Sequence, residues 1–303
     1  MRRSRNEASE MIQMRASALQ SSIFAATQLA TGFPYFIPIA GRNVHPHVFF
    51  ESLAYAIAIA AFLYLRSRRG DALSHPIRWA TLAAAFVGGA LGSKLLYLLE
   101  DPQLTWLHLH DPAYLMGGKT IVGGLLGGLV AVEAMKRYVG LYQPTGDLLA
   151  IPIALGIAVG RFGCFLTGLT DNTYGTPTSL PWGVNFGDGI RRHPTQLYEV
   201  LFLAALVPAL FWILQAVSVS SKDDRSGAAV SRAKGPATIF RAGDVFKVFM
   251  VGYLGFRLFC DFIKPYQHVA LGLGSIQWAC ALGLLYYARD GMRWASLSTK
   301  GDA

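Results

Sequence analysis

Three short stretches place chemically capable groups inside otherwise apolar sequence. Residues 160–168, GRFGCFLTG, set Arg161 between glycines at the end of an apolar run. Residues 252–262, GYLGFRLFCDF, do the same with Arg257, and Asp261 follows four residues later on the same helix face, where it can pair with the arginine. Residues 191–199, RRHPTQLYE, bring His193 and Glu199 beside two further arginines. Guanidinium groups bind phosphate oxygens bidentately and are weakly hydrated. Arg161 has no carboxylate at helical spacing, so a lipid phosphate suits it; an interhelical ion pair, for example with Glu199, is the competing structural role. A His with a Glu at a membrane interface can supply a base and the group that orients it. Pro194 fits the first turn of a helix, where His193 alternatively caps the helix end.

These residues sit in a chain built for hydrocarbon. Of its 303 residues 53% are hydrophobic and 15% charged, against about 25% charged in a soluble domain. Seven runs approach the ~20 residues that cross a bilayer: Val48–Leu65, Ile77–Leu98, Leu115–Met135, Leu148–Leu166, Leu197–Val217, Val245–Ile263 and Leu271–Ala288. The fold class expected is all-α: a polytopic helical membrane protein with about seven transmembrane helices and a small outer-facing cap. Lys and Arg collect in alternate loops, whereas the loop EDPQLTWLHLHDPAY has neither. By the positive-inside rule the N-terminus lies outside and the C-terminus in the cytoplasm. The same rule gives the formal charge of +9 a source other than nucleic-acid binding, and no nucleic acid is expected as a partner.

Two features strain that topology. Arg2, Arg3, Arg5, Arg15 and Arg42 fall on the outer side, as do Arg191 and Arg192. Residues 1–45 are read as an N-terminal tail, interfacial or entering the membrane over Leu19–Ala40. Residues 46–290 form the transmembrane domain. Within it, residues 218–243, rich in Ser, Gly, Ala and charge, form a flexible cytoplasmic linker, and residues 291–303 are a cytoplasmic tail.

Charge at bilayer depth costs roughly 2.5–3.5 kcal/mol, so Glu51, Lys94, Lys119, Glu133, Lys247, Arg161, Glu199, Arg257 and Asp261 each need a reason. Lys94, Glu133 and Lys247 lie near span ends and read as snorkelling or paired. The run GGKTIVGGLLGG, residues 117–128, is not a phosphate loop, because Ala113 occupies the first glycine position and no strand precedes it. Gly123/Gly127 and Gly124/Gly128 instead make small-residue faces that let helices approach, or leave room for a lipid or polar side chain. Cys164, Cys260 and Cys280 include no CxxC pair and read as small buried hydrophobes, with no metal or disulfide framework.

With these motifs in order, the chain resembles the prolipoprotein diacylglyceryl transferase family over roughly residues 45 to 290. GRFGCFLTG resembles the family's diagnostic signature and HPTQLYE its second. GYLGFRLFCDF resembles the late arginine segment, and GGKTIVGGLLG the third-span glycine motif. The resemblance implies transfer of a diacylglyceryl group from phosphatidylglycerol to the lipobox cysteine of a preprolipoprotein. A thioether forms and glycerol 1-phosphate leaves. Phosphatidylglycerol, preprolipoprotein lipobox peptides and membrane lipids are the partners implied, in a bacterial plasma membrane, with no cofactor and no metal. It implies Arg257, His193 and Glu199 as catalytic residues, and Arg161, Gly160, Gly163, Tyr253 and Glu51 as substrate-binding ones. Gly160, Gly163 and Gly168 are expected to keep a headgroup pocket open, and Arg161→Ala to abolish function without unfolding the protein.

The chain departs from the family pattern at four positions. Val122 stands where the third-span motif has a histidine, Cys164 and Thr167 stand where the signature has asparagines, and Glu51 stands where a tyrosine is usual. Three readings therefore stay open: a transferase with a rearranged base, His193 or Glu51; a paralogue that binds an anionic phospholipid and uses another acceptor or none; and a small transporter or lipid-binding membrane module.

Overall fold

A computed structural model describes residues 32–226 apart from 72 and 74, and residues 240–301 apart from 266 and 268. The tail arginines up to Arg15, the stretch 227–239 and the last two residues lie outside the described part. Nine α-helices are described: α1 (Pro46–Arg69), α2 (His75–Leu98), α3 (Pro102–Leu107), α4 (Pro112–Met116), α5 (Ile121–Tyr138), α6 (Asp147–Thr167), α7 (Thr195–Ser226), α8 (Asp244–Cys260) and α9 (Ser275–Gly301). One of them coincides with each of the seven apolar runs. Four of the candidate spans, Pro46–Arg69, Pro76–Leu98, Asp147–Asp171 and Thr195–Val217, are long and apolar enough to cross a membrane. Large apolar side chains such as Ile59, Phe86, Leu91 and Leu201 are exposed on these helices, as hydrocarbon-facing surfaces require. The chain is a helical membrane protein.

Helix ends follow local chemistry. The third apolar run was expected from Leu115, but α5 begins only after Thr120, whose Oγ1 accepts the Gly123 N–H at 3.2 Å as an N-cap. The preceding turn passes through Gly118 at φ +55° and is pinned by the Lys94 ammonium, which donates to the Gly117 and Gly118 carbonyls. α7 runs nine residues past Val217, over 218–226 of the expected linker. Nothing between Val217 and Gly227 is a glycine or proline that would halt propagation.

The described residues divide into two units. The first comprises residues up to Ala54 together with Val159–Val200. It holds two short antiparallel hairpins. Strand β1 (Ile37–Ile39) pairs with β2 (Arg42–Val44), Ile37 opposite Val44, and β3 (Val184–Asn185) pairs with β4 (Arg191–Arg192), Val184 opposite Arg192. An aromatic cluster forms its interior, with Phe186 set edge-on to Phe33 at 5.3 Å and to Phe165 at 5.8 Å. The second unit comprises Tyr55–Ala158 and Leu201 onward. Its core is built on Ile151, Leu203, Leu210, Phe249, Met250, Tyr253 and Leu254.

Within the second unit, α2 and α5 pack backbone to backbone. A Cβ on Gly123 would lie 2.3 Å from the Gly92 carbonyl oxygen, and one on Gly127 would lie 2.3 Å from that of Gly88. The glycine face is therefore a helix contact, as small-residue spacing predicts. The room it leaves is taken by the facing backbone, not by a lipid or polar side chain. The span-end charges are likewise structural: Glu133 pairs with Lys136 at 2.8 Å and Lys247 with Asp290 at 2.7 Å.

Candidate functional site

In the first unit, α6 and α7 bring Arg161 and Glu199 together. Arg161 Nε lies 2.9 Å from Glu199 Oε1, with the side chains 8% and 1% exposed. Arg161 has no carboxylate at helical spacing, and the interhelical pair with Glu199 weighed from the sequence as its competing role is the one that forms. Removing both charges from water costs several kcal/mol per ion, which their attraction offsets only at close approach.

Glu199 therefore engages Arg161. The base-and-orienter arrangement expected for His193 with Glu199 is built differently: His193 Nδ1 lies 3.1 Å from the Tyr198 hydroxyl, which also accepts from Trp182 Nε1 at 2.8 Å. A phenol five residues from His193 reaches its ring because the chain turns into α7 at Pro194. The His193 backbone is bonded into the loop through Thr176 O and Gly175 N. The two loop arginines are used locally. Arg192 pairs with Asp188 at 2.6 Å and lies 5.0 Å from the Tyr174 ring centre, and Arg191 donates to the Pro181 and Gly183 carbonyls. The Arg192 guanidinium holds the Asp188 carboxyl below its usual range. Their charge is thus absorbed within the loop that strained the topology.

The glycines divide. A Cβ on Gly163 would stand 2.4 Å from Phe50 Cβ, and one on Gly168, at φ +74°, would stand 3.0 Å from Phe33 Cβ. These two permit close packing and do not hold a pocket open, because aromatic side chains already fill the space. Gly160 meets only Ala54 Cβ, at 4.0 Å. Gln196, three residues before Glu199, escaped the sequence reading. It is 1% exposed, and neither its amide nitrogen nor its amide oxygen has a hydrogen-bond partner among the described residues. An unsatisfied buried amide costs about 1–3 kcal/mol, so such a group points to a polar ligand.

Glu51 Oε2 faces His47 Nε2 at 3.6 Å, and His47 Nδ1 lies 3.0 Å from Asp171 Oδ1. Neither His47 nor Asp171 stood out in the sequence. The only signal was the i, i+4 spacing of His47 and Glu51 on α1.

In the second unit, Arg257 Nη2 donates to Asp261 Oδ1 at 2.9 Å and to Oδ2 at 3.3 Å, with both side chains buried. This is the pairing that the four-residue spacing predicts. Lys264 Nζ stands 3.7 Å from the same Oδ1. Asp261 also lines a cavity of ≈ 180 Å³ with Glu100, Asp101, Gln267, Ser275 and Gln277. Burial pushes the Glu100 carboxyl up to about 7, with Asp261 adding to the rise and Arg257 and Lys264 opposing it. Tyr253 is fully buried in the core, stacked on Phe249 at 6.0 Å. Val122 is 1% exposed in that same apolar core.

Residues 34–289 match the family model described as prolipoprotein diacylglyceryl transferase. The chain belongs to the prolipoprotein diacylglyceryl transferase family. Among similar proteins, one from Methylococcus capsulatus is 32% identical over 264 residues, covering 81% of this chain and 88% of its own. One from Bordetella parapertussis is 31% identical over 268 residues, covering 81% and 90%. One from Nitrosomonas europaea is 30% identical over 241 residues, covering 75% of each. All three are named phosphatidylglycerol–prolipoprotein diacylglyceryl transferase. Family membership accounts for the order of the four motifs, which the structure distributes over α5, α6, α7 and α8.

Proposed function

We propose that this protein transfers the diacylglyceryl group of phosphatidylglycerol to the lipobox cysteine of preprolipoproteins. The acceptor sulfur forms a bond to the glyceryl carbon, the carbon–oxygen bond to phosphate breaks, and glycerol 1-phosphate leaves with the thiol proton delivered to solvent or phosphate. The family match over residues 34–289 carries the reading. The buried Arg161–Glu199 pair of the first unit supports it, as separately does the Arg257–Asp261 pair of the second, because a departing phosphate is stabilised best by preorganised cationic donors. Gln196 supports it as a buried amide with no partner among the described residues, able to take a polar headgroup. In this reading Arg161, Gly160 and Glu51 contact substrate, with Arg257, His193 and Glu199 in the catalytic machinery. The protein acts in the bacterial plasma membrane with its N-terminus outside and its C-terminus in the cytoplasm.

Val122 favours a second reading, a phospholipid-binding paralogue with another acceptor. It is buried among apolar residues at the position of the family motif's histidine, so no proton can be moved there. Complementation separates the two. The gene is expressed in a bacterium whose own transferase is shut off, and the mobility of a reporter lipoprotein is followed. Rescue with lipid-modified reporter is expected; a membrane-inserted protein that leaves the reporter unmodified would overturn the transferase reading.

A further inference from the structure

His47 at the start of α1, Cys164 in α6 and Asp171 just beyond it converge in the first unit. One ligand-type atom of each lies within 4.8 Å of the other two. His47 Nδ1 stands 3.0 Å from Asp171 Oδ1, and Cys164 Sγ lies within 4.8 Å of both the imidazole and the carboxylate ligand atoms. A nucleophilic relay would set thiol and carboxylate against opposite ring nitrogens, out of reach of each other. Here sulfur and carboxylate oxygen lie within 4.8 Å of each other, closer than opposite ring nitrogens would hold them, and the second ring nitrogen, Nε2, faces Glu51 at 3.6 Å. Three unlike donors around one point are the arrangement of a cation site.

The surroundings are those of ligands held in place. Glu51 faces the outer nitrogen of His47, and the Thr173 hydroxyl donates to the spare oxygen of Asp171, Oδ2, at 2.7 Å. Carboxylate-backed imidazoles and hydrogen-bonded carboxylates are the usual supports of metal ligands. Zinc–ligand bonds of about 2.0–2.3 Å at tetrahedral angles put donor atoms roughly 3.3–3.6 Å apart, between the 3.0 Å of the His47–Asp171 pair and the 4.8 Å within which all three atoms lie. A mixed sulfur, nitrogen and oxygen set suits a borderline-soft divalent ion.

We propose that His47 Nδ1, Cys164 Sγ and Asp171 Oδ1 form a three-ligand site for a zinc-class divalent cation whose fourth position takes the acceptor's cysteine thiolate. The first part stands on geometry alone; the second rests on the transferase reading above. Three protein ligands and an open position are the pattern of catalytic zinc, and a metal-bound thiol is deprotonated. The acceptor thiol loses its proton to solvent on binding and keeps the electron pair that attacks the glyceryl carbon. Cys164 is three residues from Arg161 on α6, hence on the same helix face. The cation would replace, by another chemistry, the proton acceptor that Val122 does not provide.

The test uses the full chain in detergent, stripped with chelator and titrated with Co²⁺. One equivalent is expected to bind and to give a near-ultraviolet thiolate-to-cobalt charge-transfer band. C164S should lose the band. T173V, which leaves every ligand in place, should keep the band and weaken Co²⁺ binding about 10-fold or more, as loss of a ligand's support does. Absence of stoichiometric binding, or a band that persists in C164S, overturns the site. Adding a cysteine-containing lipobox peptide should strengthen the band, and its serine analogue should not; equal responses overturn the open-position assignment. Neither readout needs lipid transfer, so a cobalt site in a protein that fails complementation sinks the transferase reading and leaves the cation site standing.

Discussion

Removing either member of the Arg161–Glu199 pair is expected to destabilise the protein more than removing both. The two side chains meet at 2.9 Å and are almost fully buried. At an effective dielectric constant of 20, two unit charges at that distance attract by about 6 kcal/mol before desolvation is counted. Breaking a buried pair by removing one partner costs about 3–5 kcal/mol, because the remaining charge stays buried without compensation, whereas replacing both with apolar groups of similar volume is near neutral. Total stability is typically 5–15 kcal/mol, so Arg161→Met or Glu199→Leu alone should lose a large share of it. The double variant should lie within about 1–2 kcal/mol of the parent. The assay is SDS-induced unfolding in mixed micelles, followed by the fluorescence of the chain's six tryptophans. Arg161→Ala is therefore expected to cost stability as well as function, where the sequence reading expected function alone to be lost. Additive single losses, with the double variant as unstable as their sum, would refute the buried-pair argument. Lipid transfer measured on the folded double variant then isolates chemistry from stability: it should be absent, and full activity would remove Arg161 from the site.

The Glu100 carboxyl is raised from 4.5 to about 7, chiefly by burial. The folded state therefore holds this proton more tightly, and the group's contribution is fully present below pH 4.5 and lost as pH rises through about 7. The shift bounds the loss at about 3 kcal/mol at ~1.36 kcal/mol per unit, reduced by the carboxyl's partial exposure; Glu100→Gln should flatten the pH slope of stability in that window, and an unchanged slope would reject the assignment. Gly163→Ala should cost about 1–3 kcal/mol, since its Cβ would meet Phe50 Cβ at 2.4 Å. Gly160→Ala, with only Ala54 at 4.0 Å, should leave the melting temperature unchanged, and comparing the two melts checks both.

Much of the architecture was legible before any coordinates. Apolar runs near 20 residues allow few structures but helices in hydrocarbon, where every backbone group must be satisfied within its own segment. The i, i+4 pair Arg257–Asp261 and the glycine face of α5 were legible for the same reason, because helical periodicity is local. What misled was the assumption that small residues leave space. At Gly163 and Gly168 that space holds Phe50 and Phe33, and no local pattern tells which aromatic ring will arrive.

The helical membrane class, the motif order and the identity of the charged residues come from the sequence by itself, since a buried charge or an apolar run is conspicuous wherever it stands. Which of the possible partnerships between helices form was decided only by tertiary structure. Glu199 is 38 positions from Arg161, and Asp171 is 124 from His47; each pair exists because separate helices and the turn after α6 close on one another. Spacing along a chain reports neighbours within one helix, while neighbours between helices depend on how the side chains around them pack, and that is settled only when the chain folds.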